Sequence, residues 1–330
     1  YYIIAGEASG DLHGSNLIKQ LKINDTSAQI QCWGGDLMEA AGASLVKHYR
    51  DLAFMGFSEV IKNLPTILGN LSFCKKDILS FQPDVLILID YPGFNLRIAE
   101  WAKQQGFKVV YYIAPQVWAW KANRVKKMKQ CIDLMLCILP FEKNYFKEQW
   151  NWEVEYVGHP LIEVIEQFKA THQLEPKQIV ALLPGSRKQE IAKKLPIMLS
   201  VASHFPDYEF VVAKAPGQED AFYEPFLQGQ ENVRVVKDST YALLMQSSAA
   251  LVTSGTATLE TALFSVPEVV CYKGSNISYQ IARRLVKIKF ISLVNLILDK
   301  EIVKELIQDE LNTMNLVTAL NSLLKNNQDQ

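Results

Sequence analysis

No stretch of about 18 uninterrupted apolar residues occurs in this 330-residue chain, so no segment reads as bilayer-spanning. No basic-then-apolar stretch precedes the first strand, which argues against a secretory leader. Cysteine is sparse: Cys32, Cys74, Cys131, Cys137 and Cys271 are five, an odd number, with no Cys-x-x-Cys pair and no histidine at metal-ligand spacing. That pattern excludes a disulfide framework and structural zinc, and suits a reduced, cytoplasmic setting. Neither sign of charge is in surplus. With 34 Lys+Arg against 35 Asp+Glu the formal net charge is -1, which leaves no whole-chain electrostatic case for nucleic acid as a partner. Also missing are the Gly-Lys-Ser/Thr of a P-loop, the Gly-x-Ser-x-Gly elbow and the Asp-x-Asp metal clamp. These absences argue against a P-loop kinase, an α/β-hydrolase and a metal-dependent sugar transferase. What the chain has in quantity is apolar material, 49% of residues against 21% charged, which is enough for packed cores; its length suits two domains.

Short apolar runs rich in β-branched residues alternate with helical patterns along the whole length, the signature of an α/β protein with parallel sheets and crossover helices. The first series of predicted strands is Tyr1–Ala5, Ile30–Trp33, Val85–Ile89, Lys108–Ile113 and Leu134–Ile138. The second is Ile179–Leu183, Glu209–Ala213, Val233–Val236, Ala250–Thr253 and Glu268–Tyr272. Gly158-His159-Pro160 punctuates the change, because proline restricts the residue before it and glycine permits a turn. The expected domains are therefore residues 1–158 and 159–330. Ligands of open parallel sheets sit beyond the carboxyl ends of the strands, so two such domains are expected to face a cleft lined by strand-to-helix loops.

Five of those segments could carry chemistry, and four of them have a plainer alternative. Gly6-Glu7-Ala8-Ser9-Gly10-Asp11 follows the first strand; Ser9 or Asp11 could cap the next helix, whereas Glu7 has no evident capping duty and faces the presumed cleft. Asp90 ends the wholly apolar strand Val85–Ile89, well placed for a general base or for a structural turn. Trp118, Trp120, Lys121, Arg124, Lys126, Lys127 and Lys129 crowd one segment. They could stack on a sugar and contact phosphates or anionic lipid heads, or form a solvated helix face with core tryptophans. Pro184-Gly185-Ser186-Arg187 offers backbone N–H groups and a guanidinium for a phosphate. In Ser254-Gly255-Thr256-Ala257-Thr258-Leu259-Glu260, Gly255 and Thr256 open a helix and Glu260 lies one turn on. A diphosphate at that N-terminus would bring an attached ribose near Glu260, although Ser-Gly-Thr can equally be a simple cap. Finally, Val60, Ile61, Leu64, Ile67, Leu68 and Leu71 recur at helical spacing, with Phe73 close behind. That stripe reads as core or as a lipid-facing surface.

Several of these segments, with others, resemble one family in number and order. They are Gly6-Glu7-Ala8-Ser9-Gly10-Asp11, Phe54-Met55-Gly56, Ile89-Asp90-Tyr91-Pro92-Gly93-Phe94-Asn95, Pro115-Gln116-Val117-Trp118-Ala119-Trp120, Leu139-Pro140-Phe141-Glu142, Gly158-His159-Pro160, Leu183-Pro184-Gly185-Ser186-Arg187, Ser254 to Glu260, and Ser292-Leu293-Val294-Asn295-Leu296. The family is lipid-A-disaccharide synthase, the glycosyltransferase that joins two acylated glucosamine units in lipid A assembly. The resemblance covers essentially the whole chain and departs at Gly93, where many relatives carry an acid, and at Val294, where they often carry proline.

The resemblance implies a GT-B architecture of two Rossmann-like domains without metal or other cofactor. It implies UDP-2,3-diacylglucosamine as donor, 2,3-diacylglucosamine 1-phosphate (lipid X) as acceptor, and an inverting reaction. Asp90 is then the catalytic base. Glu7, Ser9, Asn95, Arg187, Gly255, Thr256, Glu260 and Asn295 contact substrate, with Leu64, Ile67, Leu68 and Leu71 toward acyl chains and the anionic inner membrane of a Gram-negative bacterium. A homodimer is allowed, and further terminal helices are expected beyond Gln330. Two other readings stay open at this point. One is a different GT-B enzyme acting on a UDP-N-acetylhexosamine, a 2-epimerase or the peptidoglycan transferase. The other is a two-lobed solute-binding protein, which would need a secretory leader and would release no UDP.

Overall fold

The computed structural model describes residues 1–52, 64–215, 218–275, 279–280, 284, 286 and 288–328. The chain divides into two compact units, Tyr1–Pro160 and Leu161–Gln330. In the first the described elements are β1 (Tyr2–Ala5), α1 (Ala8–Asn24), β2 (Gln31–Gly34), α2 (Asp36–Ala40), β3 (Ser44–His48), α3 (Leu64–Phe81), β4 (Val85–Ile89), α4 (Pro92–Gln104), β5 (Lys108–Tyr112), α5 (Arg124–Cys131), β6 (Leu134–Cys137), α6 (Glu142–Trp150) and β7 (Glu155–Tyr156). The second begins with α7 (Pro160–Thr171) at the boundary. It continues through β8 (Ile179–Leu183), α8 (Lys188–Leu199), β9 (Glu209–Lys214), α9 (Asp220–Leu227), β10 (Val233–Lys237), α10 (Thr240–Gln246), β11 (Ala249–Thr253), α11 (Thr256–Leu263), β12 (Glu268–Tyr272), α12 (Leu293–Leu298), β13 (Lys304–Ile307) and α13 (Thr313–Gln328).

Each unit is a doubly wound parallel sheet. The first runs β3-β2-β1-β4-β5-β6-β7 and the second β10-β9-β8-β11-β12-β13. The strand order therefore reverses between β1 and β4 in one and between β8 and β11 in the other, which are paired in parallel. Such switch points open a crevice at the carboxyl edge where ligands bind. The central strands are buried on both faces because both carry helices, which explains their unbroken apolar runs. In the first unit Trp33, Phe94, Tyr111 and Phe146 fill one face of the sheet and Ile3, Ile87 and Ile89 the other.

Three edge strands, β3, β7 and β13, escape the sequence reading. Their residues are mixed in polarity, and β3 and β7 are only partly buried or exposed. Asp11 corrects another expectation: it does not cap its own helix. Its carboxylate accepts from the N–H groups of Gly35 (2.8 Å), Leu37 (3.2 Å) and Met38 (3.0 Å), so it caps α2 from across the fold. The apolar stripe divides in α3. Leu71 is 7% exposed and packs in the core with Cys74 and Ile78, which corrects its lipid-facing reading; Ile67 packs partly buried against the same cluster. Leu68 points outward at 54% exposure. Val60, Ile61, the Phe54-Met55-Gly56 motif and the side chain of Leu64 lie outside the described residues. No helix among the described residues is long and apolar enough to cross a membrane.

Candidate functional site

At the switch point of the first unit, β4 ends by turning two consecutive non-glycine residues into left-handed backbone, Asp90 at φ 44° and Tyr91 at φ 49°. Such conformations are costly and persist only when their surroundings enforce them. Here the Asp90 N–H donates to Tyr112 O at 3.0 Å, while its carbonyl accepts from the Tyr111 hydroxyl at 2.6 Å and Asn95 Nδ2 at 2.8 Å. Asn95, fully buried, also donates to Ile89 O at 3.1 Å. It thus acts on the strand end from beneath and is not open to a ligand. The Tyr91 ring lies against Gly6, where a Cβ would overlap it, and its hydroxyl donates to Leu52 O at 3.2 Å. Gly6 is therefore required by close approach of a neighbouring ring.

Asp90 is one of several carboxyls that burial perturbs, and it lies at the switch point. Burial raises its carboxyl to about 6, the Glu7 charge adds to the rise, and a hydrogen bond from the Tyr91 backbone opposes it. Glu7 is the N-cap residue of α1, in extended backbone, with no side-chain capping bond; Ser9, in the first turn, is exposed. Glu142 is a third carboxyl, missed as a site candidate by sequence reasoning although it sits in a quoted motif. It is 1% exposed, accepts from Trp118 Nε1 at 3.1 Å and Leu139 N at 3.0 Å, and is pushed up to about 7 chiefly by burial, with the Asp90 charge contributing. It ties the loop after β5 to the loop after β6. Trp118 is anchored by that bond and by edge contact with Phe141, whereas Trp120 is 46% exposed with Lys121 4.1 Å and Arg124 5.7 Å from its ring. His13 and His159 are both pushed down to about 4, mainly by burial, and so stay neutral near neutral pH.

At the switch point of the second unit, a cavity of about 400 Å³ is lined by Gly185, Ser186, Arg187, Gly255, Thr256 and Glu260, with Lys214, Thr240 and Thr253 beside them. Four of the sequence-read residues, Arg187, Gly255, Thr256 and Glu260, thus come together at one site. Gly185 (φ 112°) and Gly255 (φ 138°) adopt backbone that favours glycine, which lets the two loops turn directly into α8 and α11. Two helix N-termini therefore open at this cavity, with their free N–H groups and positive dipole ends. Glu260 accepts from the Tyr241 hydroxyl at 3.3 Å, and its carboxyl is raised by burial against that bond.

Lys194 was not legible as a site residue. It is 3% exposed beneath both loops, donates to Thr253 Oγ1, and lies 4.0 Å from Glu190, which also approaches Arg187 at 3.6 Å. Burial lowers its pKa, and Glu190 partly restores it. Around the cavity Arg187, Lys194 and Lys214 stand against Glu190 and Glu260, with Asp220 paired to Lys214 at 3.0 Å. Asn295, by contrast, does not line the cavity. Fully buried, it donates to Glu305 Oε1 (2.9 Å) and Val303 O (2.8 Å) and accepts from Ile302 and Val303 N–H. Glu305 accepts from Ile291 N–H, and Ile291 O accepts from Ser254 Oγ at 2.8 Å. Asn295 thus reaches the Ser254-Gly255 turn only through this buried network.

Comparison with known proteins gives the family and the fold. A family model described as lipid-A-disaccharide synthetase matches residues 1–330. Lipid-A-disaccharide synthase from Trichlorobacter lovleyi is 39% identical, spanning 98% of this chain and 87% of that protein. The enzyme of the same name from Geobacter metallireducens is 39% identical over 93% and 83%. Among solved structures, a UDP-GlcNAc 2-epimerase from Methanocaldococcus jannaschii in complex with UDP-GlcNAc and UDP superposes with a TM-score of 0.65 at 13% identity, covering 98% of this chain and 92% of that one. A glycotransferase of kitacinnamycin gives 0.64 at 14%, covering 98% and 90%. At such low identity these two share the GT-B fold and nothing more.

Proposed function

Since the chain belongs to the lipid-A-disaccharide synthase family, and is therefore a glycosyltransferase of lipid A biosynthesis, we propose that it joins UDP-2,3-diacylglucosamine to lipid X by a single inverting displacement. The acceptor 6-hydroxyl oxygen attacks the anomeric carbon of the donor, and the bond from that carbon to the diphosphate breaks. The proton passes to Asp90, and the electron pair leaves with UDP. Arg187 and the N-termini of α8 and α11 stabilise the charge that develops on the departing diphosphate, with Lys194 held beneath them by Thr253 and Glu190. Glu260 accepts from the ribose hydroxyls. Asn295 and Asn95 hold the two loops in shape, while Glu7 adds to the proton affinity that burial gives the base.

The observation that carries this reading is Asp90 itself: a carboxyl held at the sheet's switch point in enforced left-handed backbone and raised to about 6, still ionised at neutral pH but with a stronger affinity for a proton than a surface aspartate. No covalent intermediate and no metal enters the scheme. The outward-facing Leu68 and the basic segment Lys121–Lys129 suit an enzyme working on acylated substrates at the anionic cytoplasmic face of the inner membrane. The test is UDP release from the diacylated donor in detergent and EDTA. It should depend on lipid X, whereas equal release from UDP-N-acetylglucosamine would favour a different sugar-nucleotide enzyme.

A further inference from the structure

We propose that the groove between α4 and α5 in the first unit is a phosphate-monoester subsite; resting on the function above, it takes the 1-phosphate of the acceptor. The groove encloses about 220 Å³ and is lined by Pro92, Gly93, Leu96, Arg97, Arg124 and Lys127, with Met128 and Cys131 at its apolar end. That is below the roughly 300–1,000 Å³ of sites for drug-sized ligands, so a small group or the end of a larger one fits.

Its chemistry is that of an anion site. Both helices follow strands of the same parallel sheet, so both start at its carboxyl edge, where Pro92 and Gly93 open α4 and Arg124 opens α5. Two positive dipole ends therefore converge on the groove. Three cations line it, and Arg124 and Lys127, three apart on α5, share a face. Among the described residues only Lys127 of the three has a carboxylate partner, Glu100 at 2.5 Å. The neighbouring Lys121 is itself depressed by burial and by the Arg124 charge, so like charges crowd this helix start. Guanidinium pairs suit the planar, multidentate recognition of phosphate oxygens.

The location fits the acceptor as well. Gly93 lies three residues after Asp90, is exposed, and has open space where a Cβ would stand. Arg124 is close enough for its charge to act on the Tyr111 hydroxyl, which is hydrogen-bonded to Asp90 O at 2.6 Å. A hexose phosphate held here by its 1-phosphate would lie beside the base that must reach its 6-hydroxyl. The same cations could meet a phospholipid headgroup, and the experiment separates the two sources.

The variant pair is Arg97→Gln with Arg124→Gln, accompanied by Lys127→Gln alone. Steady-state kinetics would use lipid X and, in parallel, the same acceptor lacking its phosphate, with sedimentation on anionic phospholipid vesicles as a third arm. The expected result is a rise of about 10- to 100-fold in the KM for lipid X in the double variant, with a smaller rise for Lys127→Gln. The KM for the dephosphorylated acceptor should be the same in wild type and variants, and vesicle binding should weaken at most slightly, since Leu68, Lys121, Lys126 and Lys129 remain. An unchanged KM for lipid X, an equal penalty on the dephosphorylated acceptor, or loss of vesicle binding with lipid X kinetics intact would each overturn the subsite. Wild-type protein that releases no UDP with lipid X would instead strike the parent reading. In that event calorimetry with glucosamine 1-phosphate decides the subsite on its own, by binding to wild type and not to the double variant, or by failing to discriminate.

Discussion

In the proposed reaction Asp90 is the residue that takes a proton, and its setting suits that role. Its backbone is locked by the Tyr111 hydroxyl, the Asn95 amide and the Tyr112 carbonyl, so the carboxyl cannot relax away from the sheet edge. Its pKa, raised to about 6 by burial and then by Glu7, sets a pH signature. A base works only when deprotonated, so lipid-X-dependent turnover should fall on the acid side of about pH 6, approaching tenfold per unit. Replacing Glu7 by Gln removes the negative charge that holds the proton on Asp90. The acid limb should then move to lower pH, and a pH-rate profile checks the direction; an unmoved or upward-moving limb would uncouple the two residues. Lys194 teaches a related lesson. On sequence it is one more lysine in an amphipathic helix, and only the fold shows that it is buried beneath two loops.

At the scale of elements, legibility followed polarity. The central strands were readable because burial on both faces demands continuous apolar, β-branched residues, as in Val85–Ile89 and Ile179–Leu183. Edge strands such as Ser44–His48 and Lys304–Ile307 were not, because partial exposure admits Lys and His, and in β13 the buried Glu305 is held by N–H donors from Ile291, Ser292 and Asn295. The site loops were readable from glycines and carboxylates at strand ends. The roles of Asn95, Asn295 and Glu142 were not, since each depends on partners supplied by other parts of the fold. Helix α3 makes the same point about faces: helical periodicity located the stripe but could not tell its buried side from its exposed one. Leu68→Glu should leave thermal stability almost unchanged and release the protein from anionic vesicles in a sedimentation assay. Leu71→Ala, at a core position, should instead cost about 2–5 kcal/mol by denaturant unfolding. Retained vesicle binding by Leu68→Glu would remove α3 from membrane association.

For the whole molecule, two doubly wound sheets each place one set of functional groups at a topological switch point. The first carries the Asp90 carboxyl and a basic groove, the second a cavity at two helix starts with Arg187 in its lining and Lys194 buried beside it. On the proposed function this division separates proton removal from leaving-group stabilisation, so substitutions in the two units should produce different defects. Arg187→Ala should weaken UDP binding about 10- to 100-fold by calorimetry, and unchanged affinity would refute its role. The central claim is that the first unit's carboxylate takes the acceptor's proton. Its most direct test is the lipid-X-dependent rate of UDP release by Asp90→Asn at saturating donor, in protein whose UDP affinity matches wild type. The rate should fall by about 10²–10⁴-fold; turnover within threefold of wild type would contradict the account.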